Sequence, residues 1–202
     1  MPAENPDPQS PVARAMLSFI RCLGARERHE VYLSTPITTG RAFVAWRKLA
    51  DPLIRPGHPR YESLHYDNVT ARNIARIPPL LDTLRRRYPD RLVIDPTSLA
   101  DIDGWQQEDY HRFWCTLIAR YAAITIFAAD WQFSTGCINE FAAALASSAQ
   151  IYSESLTPLT KKDGTALIEA AIDELDGTGI DAEPLRSGLR AVYEAADGET
   201  AG

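Results

Sequence analysis

The chain has 202 residues, of which 45% are hydrophobic, and its formal net charge at pH 7 is −6. This length allows one domain with a real core, and the negative charge argues against a nucleic-acid partner bound by phosphate neutralisation. No apolar run reaches the roughly 18 residues of a membrane span, and three separated cysteines without metal-ligand spacing are typical of reduced cytosolic thiols. The sequence therefore predicts a soluble cytoplasmic protein with no membrane partner and no metal site.

The N-terminal part of the chain divides into a tail, a helix and a first strand. Residues 1–10 are acidic and rich in proline, which predicts a disordered segment, and residues 11–202 are predicted to form a single domain. A helix is expected over residues 11–27, with Pro11 near its start and Gly24 near its end. A short strand follows at residues 30–34.

The middle of the chain alternates helical and extended patterns. Helical spacing of apolar residues covers 41–50, and prolines then mark an irregular loop to about residue 65. Asp67 or Asn68 is expected to cap a helix that runs to about Arg87 with a kink at Pro78-Pro79. A second strand is predicted over 91–96, and an amphipathic helix over 106–121.

The third strand is the apolar run of residues 122–129, followed by a helix, a fourth strand at 150–153 and helices at 164–175 and 184–195. Strands that alternate with helices are typical of α/β domains with right-handed crossovers. The predicted fold is a flavodoxin-like three-layer sandwich with a four- or five-stranded, mostly parallel sheet and extra N- and C-terminal helices. Neither a dinucleotide-binding glycine motif nor a P-loop motif is present.

Two loops that follow strands carry the candidate chemistry. After the third strand, a Ser-Thr-Gly turn with Ser134 and Gly136 leads into a helix with Glu140 in its first turns, and such helix starts bind anions. The alternative is that Ser134 or Thr135 merely caps the helix and Glu140 is solvated.

The loop after the first strand contains two hydroxyls, a glycine and a cation that together can cradle a phosphate: Thr38, Thr39, Gly40 and Arg41. The alternative is a simple strand-to-helix turn with a solvated arginine.

Other residues are weaker candidates. Asp95 and Asp130 end strands, where acids bind ribose or base, and turn formation is the equal alternative. His65 lies in a segment that can cover a base, although a surface histidine is the more common case. Aromatic residues that can stack on a base are Trp105, Trp131 and Phe133, whereas Trp114 is expected in the core.

Taken together, the two loops resemble the nucleoside 2-deoxyribosyltransferase superfamily over about residues 30–155. The first strand of its 2′-deoxynucleoside 5′-phosphate N-hydrolases reads Tyr-x-x-x-Ser-Ile-Arg-Gly-Gly-Arg, and here residues 32–41 read Tyr-Leu-Ser-Thr-Pro-Ile-Thr-Thr-Gly-Arg. Their second motif, Ser-x-Gly-x-Gly-x-Glu, is matched by residues 134–140. The cytidine monophosphate N-glycosidases belong to the same branch.

The resemblance implies a role for each matching residue. Glu140 corresponds to the carboxylate that attacks the anomeric carbon or stabilises its charge, and Tyr32 to the tyrosine beside it. Ser134 corresponds to the position that meets the 5′ end, where a hydroxyl accepts a phosphate that an aspartate repels, and Gly136 lets the backbone approach.

The expected activity is hydrolysis of the N-glycosidic bond of a nucleoside 5′-monophosphate, with a pyrimidine nucleotide such as CMP as one candidate and no cofactor. The alternatives are a deoxyribosyltransferase and a non-catalytic nucleotide sensor. The resemblance also implies a homodimer, and the apolar residues Tyr110 and Trp114 suggest an interface through the helices flanking the third strand.

The chain departs from the family at three points. Thr38 stands where the deoxynucleotide hydrolases have arginine, and residues 137–139 replace the glycine-rich middle of the second motif. The family's acid in the helix before the third strand has no counterpart, because the aligned residues are 114–116, Trp-Cys-Thr. Asp109 and His111 lie one or two turns earlier as possible substitutes, and a surface position is the alternative for both.

Overall fold

The computed structural model describes residues 11–98 and 102–197, so the predicted disorder of residues 1–10 lies outside the described residues. Four parallel strands form one sheet in the order β2-β1-β3-β4. The strands are β1 (Glu30–Ser34), β2 (Val93–Ile94), β3 (Ala122–Phe127) and β4 (Gln150–Ser153). The predicted α/β class with a four-stranded, parallel sheet is confirmed.

Helices connect the strands and extend the fold at both ends. They are α1 (Pro11–Cys22), α2 (Arg41–Leu49), α3 (Tyr61–His65), α4 (Ala71–Ala75), α5 (Ile77–Arg87), α6 (Gln107–Tyr121), α7 (Thr135–Ala146), α8 (Lys161–Asp176) and α9 (Glu183–Asp197). A π-helix (Tyr66–Thr70) joins α3 to α4, and 3-10 turns occupy Pro96–Ser98 and Trp131–Phe133. Within the described ranges, no helix has the length and apolar character needed to cross a membrane.

Helices cover both faces of the sheet, and the alternation of side chains along β1 shows how. Val31 and Leu33 pack in a cluster with residues of α5, whereas Tyr32 points to the other face and packs with residues of α6. All five residues of β1 are buried, as expected for a parallel strand between two helical layers. Tyr32 and Ser34, two residues apart, therefore face the α6 side together.

The extra terminal helices cover α6 and α7. Ala13 and Leu17 of α1 belong to the core cluster that contains Phe113 and other residues of α6. The C-terminal helix α9 approaches α7 so closely that a Cβ on Gly188 would lie 2.7 Å from the Ile138 side chain. The predicted terminal helices are thus an integral part of the core.

The helical segment before β2 differs from its prediction. The chain is helical from Tyr61 onward, and Asp67 and Asn68 lie inside the π-helix, so the prediction that one of them caps a helix is wrong. The break falls at Arg76, and Pro78-Pro79 occupy the first turn of α5. A proline fits there because the first helical N–H groups have no intrahelical acceptor.

Candidate active site

A cleft of about 510 Å³ opens at the carboxyl end of the sheet, on the face covered by α6 and α7. Its walls are the loop after β1, the turn after β2, one face of α6, the N-terminal turns of α7 and Pro184 at the start of α9. This volume lies within the range of small-molecule sites. Parallel α/β sheets place ligands at this edge.

A hydrogen-bonded pair of buried side chains lies in this cleft. Tyr32 Oη donates to Glu140 Oε1 at 2.8 Å, across 108 residues of sequence. Tyr32 is brought there by the α6-facing side of β1, and Glu140 by the second turn of α7, where it is 7% exposed. Glu140 is therefore buried and partnered by Tyr32, and the alternative of a solvated carboxylate is wrong.

Burial controls the protonation of both members of the pair. It raises the pKa of Glu140 to about 7, although the hydroxyls of Ser34 and Tyr32 act in the opposite direction. Burial and the neighbouring Glu140 raise the pKa of Tyr32 well above its usual value. Tyr32 is thus a hydroxyl donor at neutral pH, and Glu140 exchanges its proton near neutrality, as acid–base and nucleophilic groups do in active sites.

Two oxygens beside the pair lack partners. Among the described residues, Glu140 Oε2 and Ser34 Oγ are buried and form no hydrogen bond, although Ser34 lies near enough to Glu140 to lower the pKa of the carboxyl. Such groups are rare and costly in folded proteins. Sequence reasoning missed Ser34, although its spacing of two from Tyr32 on one strand would have placed both on the same face.

Two thiols, Cys137 buried and Cys115 half-buried, flank the pair without adding a nucleophile. Burial, together with the nearby Glu140, raises the pKa of both Cys115 and Cys137 to about 12. Because the thiolate is the reactive form, these cysteines are unreactive at neutral pH. Glu140 is the stronger candidate for nucleophile.

The N-terminus of α7 forms the wall next to the pair. Ser134 is the N-cap, and its Oγ accepts a long 3.5 Å hydrogen bond from Cys137 N. The capping alternative for Ser134 is thus correct, and the same hydroxyl also lines the cleft with Thr135 and Gly136. The first N–H groups of a helix have no acceptor within it, so this wall offers donors to an anion.

The opposite wall is α6, where His111 and Trp114 line the cleft. His111 Nε2 lies 2.9 Å from Gln107 Nε2, and burial lowers the pKa of the imidazole. A Cβ on Gly136 would lie 3.2 Å from the same nitrogen, so the glycine makes room for this ring. Asp109 instead accepts from Gln106 N in the helix cap, so only the histidine of the two proposed substitutes reaches the cleft.

The aromatic residues are distributed differently from the expectation. Trp131 and Phe133 are buried in the core with Phe127, and are not free to stack on a ligand. Trp114, expected in the core, lines the cleft and its ring lies 6.1 Å from that of Tyr32. Trp105 packs edge-to-face on Tyr110. Helical periodicity alone does not distinguish a face that packs on the sheet from one that borders a cleft.

The loop after β1 and the first residue of α2 lie in different places relative to the cleft. Thr38 and Thr39 line the cleft, whereas Arg41 lies outside it, half exposed. Arg41 pairs with Asp130 at 3.3 Å and with Glu174 at 3.0 Å. Among the described residues that line the cleft there is no arginine or lysine. The structure therefore does not bring Arg41 or Asp130 to the cleft with Ser134.

Gly40 and Asp95 make local turns. Gly40 has φ +82°, and a Cβ there would lie 2.8 Å from Pro36 Cβ, so the tight loop itself requires glycine. Asp95 Oδ1 accepts from the backbone N–H of Thr97 at 2.9 Å, and its Oδ2 accepts from the Ser98 hydroxyl. Asp95 thus stabilises a local turn, as the alternative prediction stated, although the next residue, Pro96, lines the cleft.

Comparison of the chain with protein-family models, with curated proteins and with solved structures finds no match. Within residues 11–98 and 102–197, no three His, Cys, Asp or Glu side chains are grouped so that they could hold a metal ion. The assignment of a function therefore rests on the geometry of this cleft and on its pair of Tyr32 and Glu140.

Proposed function

We propose that the protein hydrolyses the N-glycosidic bond of a nucleoside 5′-monophosphate and releases the free base and ribose or deoxyribose 5-phosphate. The observation that carries the proposal is the buried Glu140 beside Tyr32, with one carboxylate oxygen that no described residue partners, in a cleft large enough for a nucleotide. A carboxylate in such a position is the group that glycosidases direct at an oxocarbenium-like carbon.

The reaction proceeds in two displacements at the anomeric carbon. First, a carboxylate oxygen of Glu140 bonds to that carbon while the bond to the base nitrogen breaks, and the nitrogen keeps the electron pair and takes a proton. Water then attacks the same carbon, the ester bond to Glu140 breaks, and water gives up a proton as the carboxylate is regenerated. The hydrogen bond from Tyr32 orients the attacking carboxylate.

His111 is the group on the opposite wall that can handle these protons. It lines the cleft together with Glu140, and burial lowers the pKa of its imidazole. Histidine is the commonest general acid–base in enzymes. In this proposal the protonated imidazole gives its proton to the leaving base nitrogen, and the neutral imidazole then takes the proton that the attacking water gives up. The chain has no acid at residues 114–116 for the first of these roles.

The 5′-phosphate would bind at the N-terminus of α7. Ser134 offers a hydroxyl there, and the first turn of α7 at Thr135 and Gly136 offers N–H groups that have no acceptor within the helix, with Thr38 and Thr39 across the cleft. Since no arginine or lysine is among the described residues of the walls, phosphate recognition in this proposal relies on neutral donors and on the helix dipole.

One assay tests the proposal and its alternatives. The protein is incubated with each nucleoside and deoxynucleoside 5′-monophosphate, with and without an added acceptor base, and free base is measured by chromatography. Free base without an acceptor supports hydrolysis, and release that requires an acceptor supports a deoxyribosyltransferase. Binding without release supports a nucleotide sensor and contradicts the proposal.

The homodimer stays a prediction. The surfaces of α6 and α7 are partly covered by α1 and α9. A dimer interface through α6 and α7 must therefore use the parts of their surfaces that α1 and α9 do not cover. The apolar residues Val12 and Phe19 on α1 and Leu23 directly after it are exposed. Sedimentation at micromolar concentration should give a mass of at least two 22.4 kDa chains, and the mass of one chain would contradict the prediction.

A further inference from the structure

Three consecutive carbonyl groups in the loop after β1 are held by two side chains from a distant segment. Asn73 Nδ2 donates to Ile37 O at 2.9 Å and to Thr39 O at 2.8 Å. His65 Nε2 lies 2.8 Å from Thr38 O, and because a carbonyl only accepts, this nitrogen is the donor. The same reasoning fixes the amide orientation of Asn73.

These contacts place the loop residues in the cleft wall. The carbonyls of residues 37–39 are directed to the helical segment, and the same three residues line the cleft. The next N–H group of the loop, that of Gly40, donates to Phe133 O over a long 3.3 Å. Most of the polar contacts that fix this wall therefore come from His65 and Asn73.

The π-helix brings the two donors to the same side. His65 and Asn73 are eight residues apart in one continuous helical segment. An α-helix turns by about 100° per residue, so such residues would point about 80° apart. The π-helix between them holds one residue more per turn, which removes most of this 80° difference in direction. Single π-helical turns often occur at functional sites.

We propose that His65 and Asn73 form a clamp that fixes residues 37–39 as a wall of the cleft, and that both are positioning residues for substrate binding. Asn73 is buried, with 6% exposure, and the two hydrogens of its amide nitrogen are used on the loop. The identity of what is positioned rests on the proposed function, whereas the clamp rests on geometry alone. A preformed wall lowers the cost of ordering the loop when ligand binds.

The two clamp variants remove the donors and keep the shape. Asn73→Asp is isosteric but offers no donor to the carbonyls, and His65→Phe keeps the ring among Phe43, Trp46 and Tyr61. The matched control is Asn68→Asp, which makes the same chemical change on the π-helix. Asn68 Nδ2 donates to Leu64 O within the helix, so its loss does not reach the loop.

Hydrogen exchange followed by mass spectrometry measures the clamp directly, on a peptide that covers residues 37–44. Both clamp variants should exchange the Gly40 amide at least about tenfold faster than the wild type, and Asn68→Asp less than about twofold faster. In parallel, the KM for the monophosphate should rise at least about fivefold in both clamp variants, with kcat changed less than about threefold.

Each of the following results would contradict the clamp, its positioning role or the proposed function. Unchanged exchange in His65→Phe, which keeps the packing if Asn73→Asp fails to fold, overturns the clamp. Faster exchange with an unchanged KM overturns the positioning role. Equal effects in Asn68→Asp attribute the change to the helix and also overturn the clamp. If the wild type releases no base, the proposed function fails, and the exchange comparison alone still decides whether the clamp exists.

Discussion

Two buried glutamates lie near opposite ends of β1, and their surroundings differ. Glu30, at the start of the strand, is 2% exposed, and its two oxygens accept hydrogen bonds from the N–H groups of Arg26 and Leu92, each at 2.6 Å. Glu140, near the end of the strand, is 7% exposed, and one of its oxygens has no partner among the described residues. Both carboxyls are equally hidden, but only Glu30 is fully satisfied.

The difference shows that burial alone does not mark a functional carboxyl. Glu30 accepts hydrogen bonds from the backbone of Arg26 and of Leu92, which holds both segments against β1, and these N–H donors compensate its charge. Glu140 stays underpartnered in a cleft at the carboxyl end of the sheet, where the fold class binds ligands. An unpaired buried oxygen destabilises the protein, and a reaction that uses the oxygen explains why it is kept.

The largest expected effect is a difference in base release between the Glu140→Gln and Glu30→Gln variants. Glu140→Gln keeps the shape of the side chain but removes the nucleophile, so base release should fall by at least about 10³-fold. Glu30→Gln should keep turnover within about threefold, because Glu30 does not line the cleft. Measured by chromatography of released base, more than about a tenth of wild-type turnover in Glu140→Gln would exclude the proposed mechanism.

Substitution of Glu30 and of Glu140 by Gln should change the free energy of unfolding in opposite directions at neutral pH. Glu30→Gln leaves one backbone N–H facing an amide donor and should lower the free energy of unfolding by about 2 kcal/mol. The pKa of Glu140 is raised from 4.5 to about 7 on folding. Its stabilising contribution is therefore fully present below pH 4.5 and is lost as pH rises through about 7, a loss of about 3 kcal/mol.

Urea unfolding of the wild type and of Glu140→Gln between pH 4.5 and 8 measures this contribution. The variant lacks the titrating carboxyl, so its stability relative to the wild type should rise over that range. A constant difference between the two proteins would show that the carboxyl is not desolvated in the folded state.

A carboxylate placed at Ser134, in the wall formed by the N-terminus of α7, tests where the phosphate binds. Ser134→Asp should reduce kcat/KM for monophosphates roughly ten- to a hundredfold more than for free nucleosides, since two unit charges about 4 Å apart interact by about 1–4 kcal/mol. Equal losses for both substrates would place the 5′ end elsewhere.

Arg41→Gln is the control in the same experiment. Its exposed pairs with Asp130 and Glu174 lie outside the cleft, so kcat/KM should change by less than about threefold for either substrate class. A selective loss for monophosphates would mean that Arg41 turns into the cleft when substrate binds.

The smallest effect concerns Tyr32, which donates a hydrogen bond to Glu140. Because catalysis requires the carboxylate, kcat/KM of the wild type should rise with pH through about 7, the pKa of Glu140. Tyr32→Phe removes a hydrogen bond that lowers this pKa, so the acidic limb should move to higher pH, with roughly a tenfold loss at pH 7. An unchanged limb in the pH profile would show that another group titrates.

Several elements were predictable because their determinants are local. The buried strands, the amphipathic helices and the positions of Tyr32 and Glu140 at the carboxyl edge follow from periodicity and from the rules of parallel sheets. The hydroxyls of Thr38 and Ser134 line the cleft as their loops suggested. The start of α3 at Tyr61 was missed because no capping residue precedes it, and the π-helix that follows has no apolar periodicity that would predict it.

The sequence by itself determined the order of elements, the fold class and the residues that reach the edge of the sheet, because hydrophobic periodicity and strand alternation are local properties. The tertiary structure alone decided which of them meet. Arg41 begins α2 three residues after Thr38, but of the two only Thr38 lines the cleft, since Asp130 and Glu174 hold the arginine outside. Partners distant in sequence fix a side chain's direction and pKa, and local pattern does not encode them.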